Sequence, residues 1–173
     1  TLTGSGTDPD GTIASYLWTQ QSGPVTAALT SANTASTQVN GLTTAGTYVF
    51  RLLVTDNQGA TGFSDVTITV AAANVPPVAN AGGNKTITLP ASSVTLTGSG
   101  TDTDGTIVSY SWTQQSGTAA TIASPSSATT NITGLTTSGI RVFRLTVTDN
   151  KGATAFSDAT VTVNDPNAAP AAN

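Results

Sequence analysis

The sequence predicts an all-β chain made of two tandem β-sandwiches, and three observations carry that reading. The first is repetition. Thr1-Leu-Thr-Gly-Ser-Gly-Thr-Asp-Pro-Asp-Gly-Thr-Ile returns as Thr95-Leu-Thr-Gly-Ser-Gly-Thr-Asp-Thr-Asp-Gly-Thr-Ile. Leu2 recurs 94 residues on as Leu96, and Phe50 recurs 93 residues on as Phe143, so one residue is lost between the copies. A repeat of domain length implies one folded bead per copy. The second observation is apolar alternation on a period of two, with no helical period anywhere. The third is turn chemistry at short intervals: Asp104-Gly105, Ser116-Gly117, Ser138-Gly139 and Asp149-Asn-Lys-Gly152.

The second copy is the more complete, and its elements follow in order. After Val75-Pro-Pro-Val78, the runs Thr86–Leu89 and Val94–Thr97 alternate apolar with Thr. Ile107–Gln114 carries Tyr110 and Trp112 on one face, and Arg141–Thr148 places Phe143, Leu145 and Val147 on one face. Ala159–Val163 closes the copy. Ser, Thr and Arg take the opposite faces, and Thr, Val and Ile favour strands intrinsically. About seven short strands per copy predict a sandwich. Trp18 and Trp112 are expected to be the central core aromatics. Phe63 and Phe156 fall out of phase with Val66, Ile68 and Val70 and with Val161 and Val163, which predicts a bulge near Ser64-Asp65 and Ser157-Asp158. Arg51 and Arg144 are expected to point outward.

The predicted organisation is residues 1–72, a sandwich lacking its first strand; residues 73–165, a complete sandwich; and residues 166–173, the start of a further repeat. Asn167-Ala-Ala-Pro-Ala-Ala-Asn173 echoes Asn74-Val-Pro-Pro-Val-Ala-Asn80, so the chain reads as a piece of a longer array. The joint Ala71-Ala-Ala-Asn-Val-Pro-Pro-Val78 is short, and its proline pair favours an extended, semi-stiff link.

Composition narrows function. The chain has no Cys and no His, all its acids are Asp, and charged residues make up only 8% of it, for a net charge of −4. Disulfides are excluded. Nothing resembles a basic stripe, so nucleic acid is not an expected partner, and no apolar run suits a bilayer crossing. Without His, Cys or Glu the usual general bases and thiol nucleophiles are missing, so no enzyme activity is expected. A repeated Lys–Asn isopeptide crosslink is excluded by the absence of Lys from the first copy, and Lys85 reads as a surface residue.

Several motifs together resemble the PKD (polycystic kidney disease) domain family. They are Pro76-Pro-Val-Ala-Asn-Ala-Gly82, Gly98-Ser-Gly-Thr-Asp-Thr-Asp-Gly-Thr-Ile107, Ser109-Tyr-Ser-Trp-Thr-Gln-Gln-Ser-Gly117 and Phe143-Arg-Leu-Thr-Val-Thr-Asp-Asn-Lys-Gly-Ala153. The similarity is to the PKD-like subgroup with Trp-x-Gln-x-Ser-Gly after the central Trp. It implies two tandem Ig-like (PKD-type) β-sandwiches joined by a short Pro-containing linker. It also implies extracellular spacing, adhesion or polysaccharide contact. Such repeats are common in secreted and surface proteins of Bacteroidetes-type bacteria, including gliding adhesins and type 9 secretion cargo, so a bacterial cell-surface location is expected.

Cation binding is the chemistry the residues suit best. Ca²⁺ takes six to eight oxygens. Asp102 and Asp104 fall between the second and third strands, and Asp149 and Asn150 between the last two; in an Ig-like sandwich those loops share the end where the chain enters, with Asn80. In the first copy Asp8, Asp10, Asp56 and Asn57 form the same set without an Asn80 counterpart. The bland reading is that these residues cap turns. Three functions are carried forward: a structural spacer of a surface adhesin or filament, contacting neighbouring repeats; a polysaccharide-binding accessory module, which exposed aromatics would favour; and a fibre subunit completed by strand exchange.

Overall fold

Every regular element among the described residues is a β-strand, as the Thr/Val/Ile alternation requires. In the computed structural model the chain forms two units, Thr1–Ala73 and Asn74–Asn173, and residues 1–167 are described. From residue 168 onward, the expected start of a further repeat lies outside the described residues.

The first unit holds β1 (Leu2–Thr3), β2 (Ile13–Ser22), β3 (Ala28–Thr30), β4 (Ser36–Asn40), β5 (Gly46–Asp56) and β6 (Thr61–Val70). Two sheets form, ordered β1-β4-β3 and β2-β5-β6. The second unit holds β7 (Val78–Asn80), β8 (Lys85–Thr88), β9 (Ser93–Thr97), β10 (Ser99–Thr101), β11 (Ile107–Ser116), β12 (Thr121–Ile122), β13 (Thr129–Thr133), β14 (Gly139–Asp149) and β15 (Thr154–Asn164). Its main sheet runs β11-β14-β15-β8, faced by β12-β13-β9 and by the pair β10-β7. Neighbours pair antiparallel except β8, which runs parallel to β15 with Lys85 opposite Val161 and Ile87 opposite Val163.

The inner faces meet in an apolar core. Trp112, Phe143, Leu145, Val147, Leu96 and Ile132 are buried in the second unit, and Trp18, Phe50, Leu52 and Tyr48 in the first. Both tryptophans therefore sit where the sequence placed them. A fully buried side chain of this size contributes roughly 1.5–3 kcal/mol, so these few aromatics carry much of each small core. Trp112 Nε1 donates to the Ala128 carbonyl at 3.2 Å, whereas the indole N–H of Trp18 is buried without a partner.

Two expectations are corrected. β5 and β6 pair in unbroken register from Gly46↔Val70 to Thr55↔Thr61, as do β14 and β15, so there is no bulge at Ser64-Asp65 or Ser157-Asp158. The register shifts fall instead where β2 pairs with β5 and β11 with β14, between Ile13 and Ser15 and between Gln20 and Ser22 in the first unit, and between Ile107 and Ser109 and between Gln114 and Ser116 in the second. Strict alternation instead turns Phe63 and Phe156 outward, where they are 63% and 60% exposed. The second correction is Arg141. It lies on the inner face with Phe143 and is 1% exposed, its guanidinium donating to the Thr118 and Thr137 carbonyls, each at 3.1 Å.

Candidate functional site

In the second unit the acidic residues singled out in the sequence lie in the turns that follow β10 and β14, and each carboxylate accepts at least one hydrogen bond. Asp102 and Asp104 sit in the turn between β10 and β11, where Asp102 Oδ1 accepts the Asp104 N–H at 3.2 Å, an Asx-type turn. Asp149 ends β14 and is buried. Its Oδ1 accepts the N–H groups of Lys151 and Ala153, both at 2.8 Å, which closes the β14–β15 turn around Gly152. Asn150 Oδ1 accepts the Thr106 N–H at 3.0 Å and ties the two turns together. Asn80 Oδ1 accepts the Gly82 N–H at 2.8 Å, a local turn of its own.

The entering chain is fastened to these turns. Asn74 Nδ2 donates to Asp149 Oδ2 at 2.7 Å, and the Val75 N–H donates to Asp104 Oδ1 at 3.2 Å. On its other oxygen, Asp104 accepts Lys151 Nζ at 2.6 Å, and the same ammonium donates to the Asp104 carbonyl at 3.1 Å. The Asn74 amide, with help from the turn N–H groups, holds the Asp149 carboxyl below its ordinary value against the opposing effect of burial. Lys151, followed by the Val75 N–H, does the same for Asp104, and Asp104 in turn raises Lys151.

The first unit repeats the turns. Asp8 Oδ1 accepts the Asp10 N–H at 3.3 Å, and Asn57 Oδ1 accepts the Thr12 N–H at 3.0 Å. Asp56 Oδ1 accepts from Gln58 and Ala60 at 2.7 and 2.9 Å. Gln58 stands where the second unit has Lys151, so no ammonium accompanies these acids.

Some of the predicted ligands converge and others do not. Asp102 Oδ2 and Asn150 Oδ1 crowd the same side of Gly105, where a Cβ would collide with both, and Asp8 Oδ2 and Asn57 Oδ1 crowd Gly11 in the same way. Asp102 Oδ2 and Asp8 Oδ2 are buried without hydrogen-bond partners. Asp149 and Asn80 are turned to other donors. No three His, Cys, Asp or Glu side chains gather closely enough to hold a metal ion among the described residues.

Sequence reasoning missed the fastening of Asn74, Val75 and Lys151. The one available signal was the Lys151/Gln58 exchange inside an otherwise repeated turn. It also missed a trio on each outer sheet face. Arg144 donates through Nε and Nη2 to the two carboxylate oxygens of Asp158, both at 2.8 Å, and its guanidinium lies 3.7 Å over the Phe156 ring. Arg51, Asp65 and Phe63 do the same at 2.7, 2.8 and 3.9 Å. Planar guanidinium suits both the bidentate pair and the aromatic stack.

A protein-family model described as K319L-like, PKD domain, matches residues 1–70 and 81–163. The dyslexia-associated protein KIAA0319 of Homo sapiens is 40% identical over 168 residues, covering 94% of this chain and 16% of that protein. The KIAA0319-like protein of Mus musculus is 44% identical over 115 residues, covering 66% of this chain and 11% of that protein. The chain thus spans a small part of these relatives. Among solved structures, the solution structure of the PKD domain from KIAA 1837 protein is 31% identical, with a TM-score of 0.49, over 59% of this chain and 100% of that one.

Proposed function

The chain belongs to the PKD domain family, and on that premise we propose that it is a structural repeat segment of an extracellular, cell-surface protein of the adhesion type, with its two units acting as spacer beads. The observation that carries this reading is the fastening of the entering chain: Asn74 on Asp149 and Val75 on Asp104. A joint that is both proline-stiffened and tied to the domain it enters suits reach. No catalytic role is proposed. A bacterial adhesin or filament, gliding-related and exported by type 9 secretion, is the narrower form of the proposal; it rests on the Thr-rich, Cys-free composition and the sequence resemblance, while the relatives described above are mammalian. Among the described residues no helix is long and apolar enough to cross a membrane.

The test uses spin labels on Ser109 and Ser15 and compares the distance distribution of the wild-type chain with that of Asn74→Ala. A narrow wild-type distribution that broadens in the variant supports the spacer. A wild-type distribution as broad as that of a flexible linker removes it.

Exposed Phe63 and Phe156 favour a second reading, contact with a polysaccharide: each ring offers an apolar face beside a fixed polar pair. Loss of glycan-array binding on Phe63→Ala plus Phe156→Ala, with folding unchanged, would support it. The orphaned oxygens of Asp8 and Asp102 favour Ca²⁺ at the Asp8/Asn57 and Asp102/Asn150 pairs. The first unit, without an ammonium, is the better candidate. Calcium-dependent shifts of the Gly11 and Asn57 amides are the expected sign, and an unchanged spectrum at millimolar Ca²⁺ sinks the site.

A further inference from the structure

Asn40-Gly41 is the one Asn-Gly step in the sequence; every other asparagine with a residue after it is followed by one that carries a side chain. A side chain there crowds the approach of the following backbone nitrogen to the asparagine amide, and glycine removes that obstacle. Asn40 is exposed and ends β4, where it forms the last pair of the β3–β4 ladder, opposite Ala28. Its amide makes a single long hydrogen bond, from Nδ2 to Thr30 Oγ1 at 3.4 Å. By contrast, the side chains of Asn57, Asn74, Asn80, Asn84 and Asn150 are each held at 2.7–3.0 Å.

The backbone nitrogen next to that amide is equally open. Gly41 is exposed, its φ is +81°, and a Cβ built on it would meet no other group closer than the Ala28 nitrogen at 4.0 Å. Among the described residues its N–H has no backbone acceptor. The second unit shows that this openness belongs to the turn. The matching step there is Thr133-Gly134, and Thr133 is paired on both sides, with Thr121 and with Ser93. Gly134 still has φ +77°, with no other group within 4 Å of a Cβ, and its N–H has no backbone acceptor either. What the second unit lacks is the amide: threonine stands in its place.

We infer that Asn40 is a site of spontaneous deamidation, and that the isoaspartate formed there loosens the first unit alone. The Gly41 nitrogen gives up its proton to solvent and bonds to Asn40 Cγ. Nδ2 takes up a proton and leaves as ammonia, which closes a five-membered succinimide. Water then opens the ring. Addition at Cγ breaks the new bond and leaves aspartate. Addition at the Asn40 main-chain carbonyl carbon breaks the original peptide bond and leaves isoaspartate, whose backbone runs through Cβ and Cγ. No oxidant, reductant or enzyme is required. Ring closure asks for rotation about the Asn40 ψ, at a strand end where fraying costs little. Asp10-Gly11 and Asp104-Gly105 could close the same ring only by expelling water, and Asp104 is already held by Val75 and Lys151. Either product at residue 40 adds a negative charge to a chain whose net charge is −4. Isoaspartate also lengthens the main chain by one methylene, two residues ahead of Leu42, which packs against the first core. The inference is independent of the spacer reading.

The test ages the intact chain in mildly alkaline buffer and follows every asparagine by peptide mapping, with electron-transfer fragmentation to separate isoaspartate from aspartate. The expected result is a gain of about 1 Da at residue 40, at least about tenfold faster than at any other asparagine and within about tenfold of the rate in the same chain unfolded by guanidinium. Asn40→Thr, which copies the second unit, is expected to abolish the conversion, and Thr133→Asn to introduce it at residue 133. In the isoaspartyl fraction the first unit's melting midpoint is expected to fall while the second unit's is unchanged. A rate at residue 40 no faster than at the other asparagines overturns the site, as does suppression by folding of more than about tenfold. A Thr133→Asn chain that stays unconverted overturns the assignment to the turn, and an unchanged first-unit midpoint in the isoaspartyl fraction overturns the effect on the core.

Discussion

Tyr48 and Arg141 occupy the same position in the two units, and each reaches back to the carbonyl of the residue four earlier. Tyr48 Oη donates to Thr44 at 2.7 Å, and Arg141 Nη2 donates to Thr137 at 3.1 Å. Both side chains are buried. A neutral phenol and a guanidinium thus do the same job, but the arginine brings a charge into the interior with only neutral acceptors around it: two carbonyls and the Thr137 hydroxyl.

Arg141→Tyr is therefore expected to be neutral or stabilising, since a buried charge replaced by a well-fitting side chain usually is. Arg141→Ala is expected to cost about 3 kcal/mol, from the cavity and from unpaired carbonyls at Thr118 and Thr137. Urea midpoints followed on amide signals of the second unit check both. A destabilised Arg141→Tyr would show that the hydrogen bond to Thr118 matters more than the charge.

Gly105→Ala is expected to destabilise the second unit by about 1–3 kcal/mol, the usual cost of overpacking. Its methyl group would have to displace Asn150 Oδ1 and Asp102 Oδ2. Gly152→Ala strains a backbone at φ +89° but meets no atom, so thermal melts of the two variants separate steric collision from backbone strain.

Acid should loosen the joint before it unfolds the cores. The Asp149 carboxyl is lowered first by Asn74, and that of Asp104 first by Lys151. Folded values below the unfolded ones mean that their stabilisation is complete above about pH 4 and is lost as pH falls through the folded values. In Asn74→Ala the Asp149 value should move back up, so its loss starts at a higher pH. Carboxyl-carbon NMR titration reads this directly, and an Asp149 curve identical in both proteins would rule out Asn74 as the main cause. Lys151 has the opposite sign: raised by Asp104, its contribution is complete below about pH 10 and is lost as pH rises through its folded value.

Phe156→Ala alone should change stability by at most about 1 kcal/mol, because the ring is mostly exposed. A double-mutant cycle with Arg144→Ala is expected to show favourable coupling that persists in high salt, as a contact stack is screened less than a distant charge pair. Additive effects would show that the ring and the guanidinium are merely neighbours.

The sandwich pair was legible because its signals are local and repeated: period two, turn glycines, and one Trp per copy. Phe63 and Phe156 were misread because an aromatic was assumed to face the core. The actual compensation, an arginine held flat by Asp65 or Asp158, is a cross-strand relation that no single strand displays. Arg141 was misassigned for the converse reason, since its buried acceptors come from the distant Thr118 as well as the nearby Thr137. The acidic turns could be placed on their loops from sequence, but not their hydrogen-bond partners. Asn74 lies 75 residues from Asp149, and nothing in either segment alone announces the bond.

The parallel pairing of β8 with β15 has a mechanical consequence. β8 lies near the start of the second unit and β15 at its end, and they run in the same direction. A pull on the two ends of that unit drags these strands in opposite senses along their length. The bonds between them, with those of Asn84 and Leu89 at either end, are then loaded in shear and must rupture together rather than unzip singly. The bonds so loaded are backbone to backbone, with the Asn84 side-chain oxygen added at one end, and none of them carries a formal charge, so the resistance to stretching that they give is expected not to depend on salt.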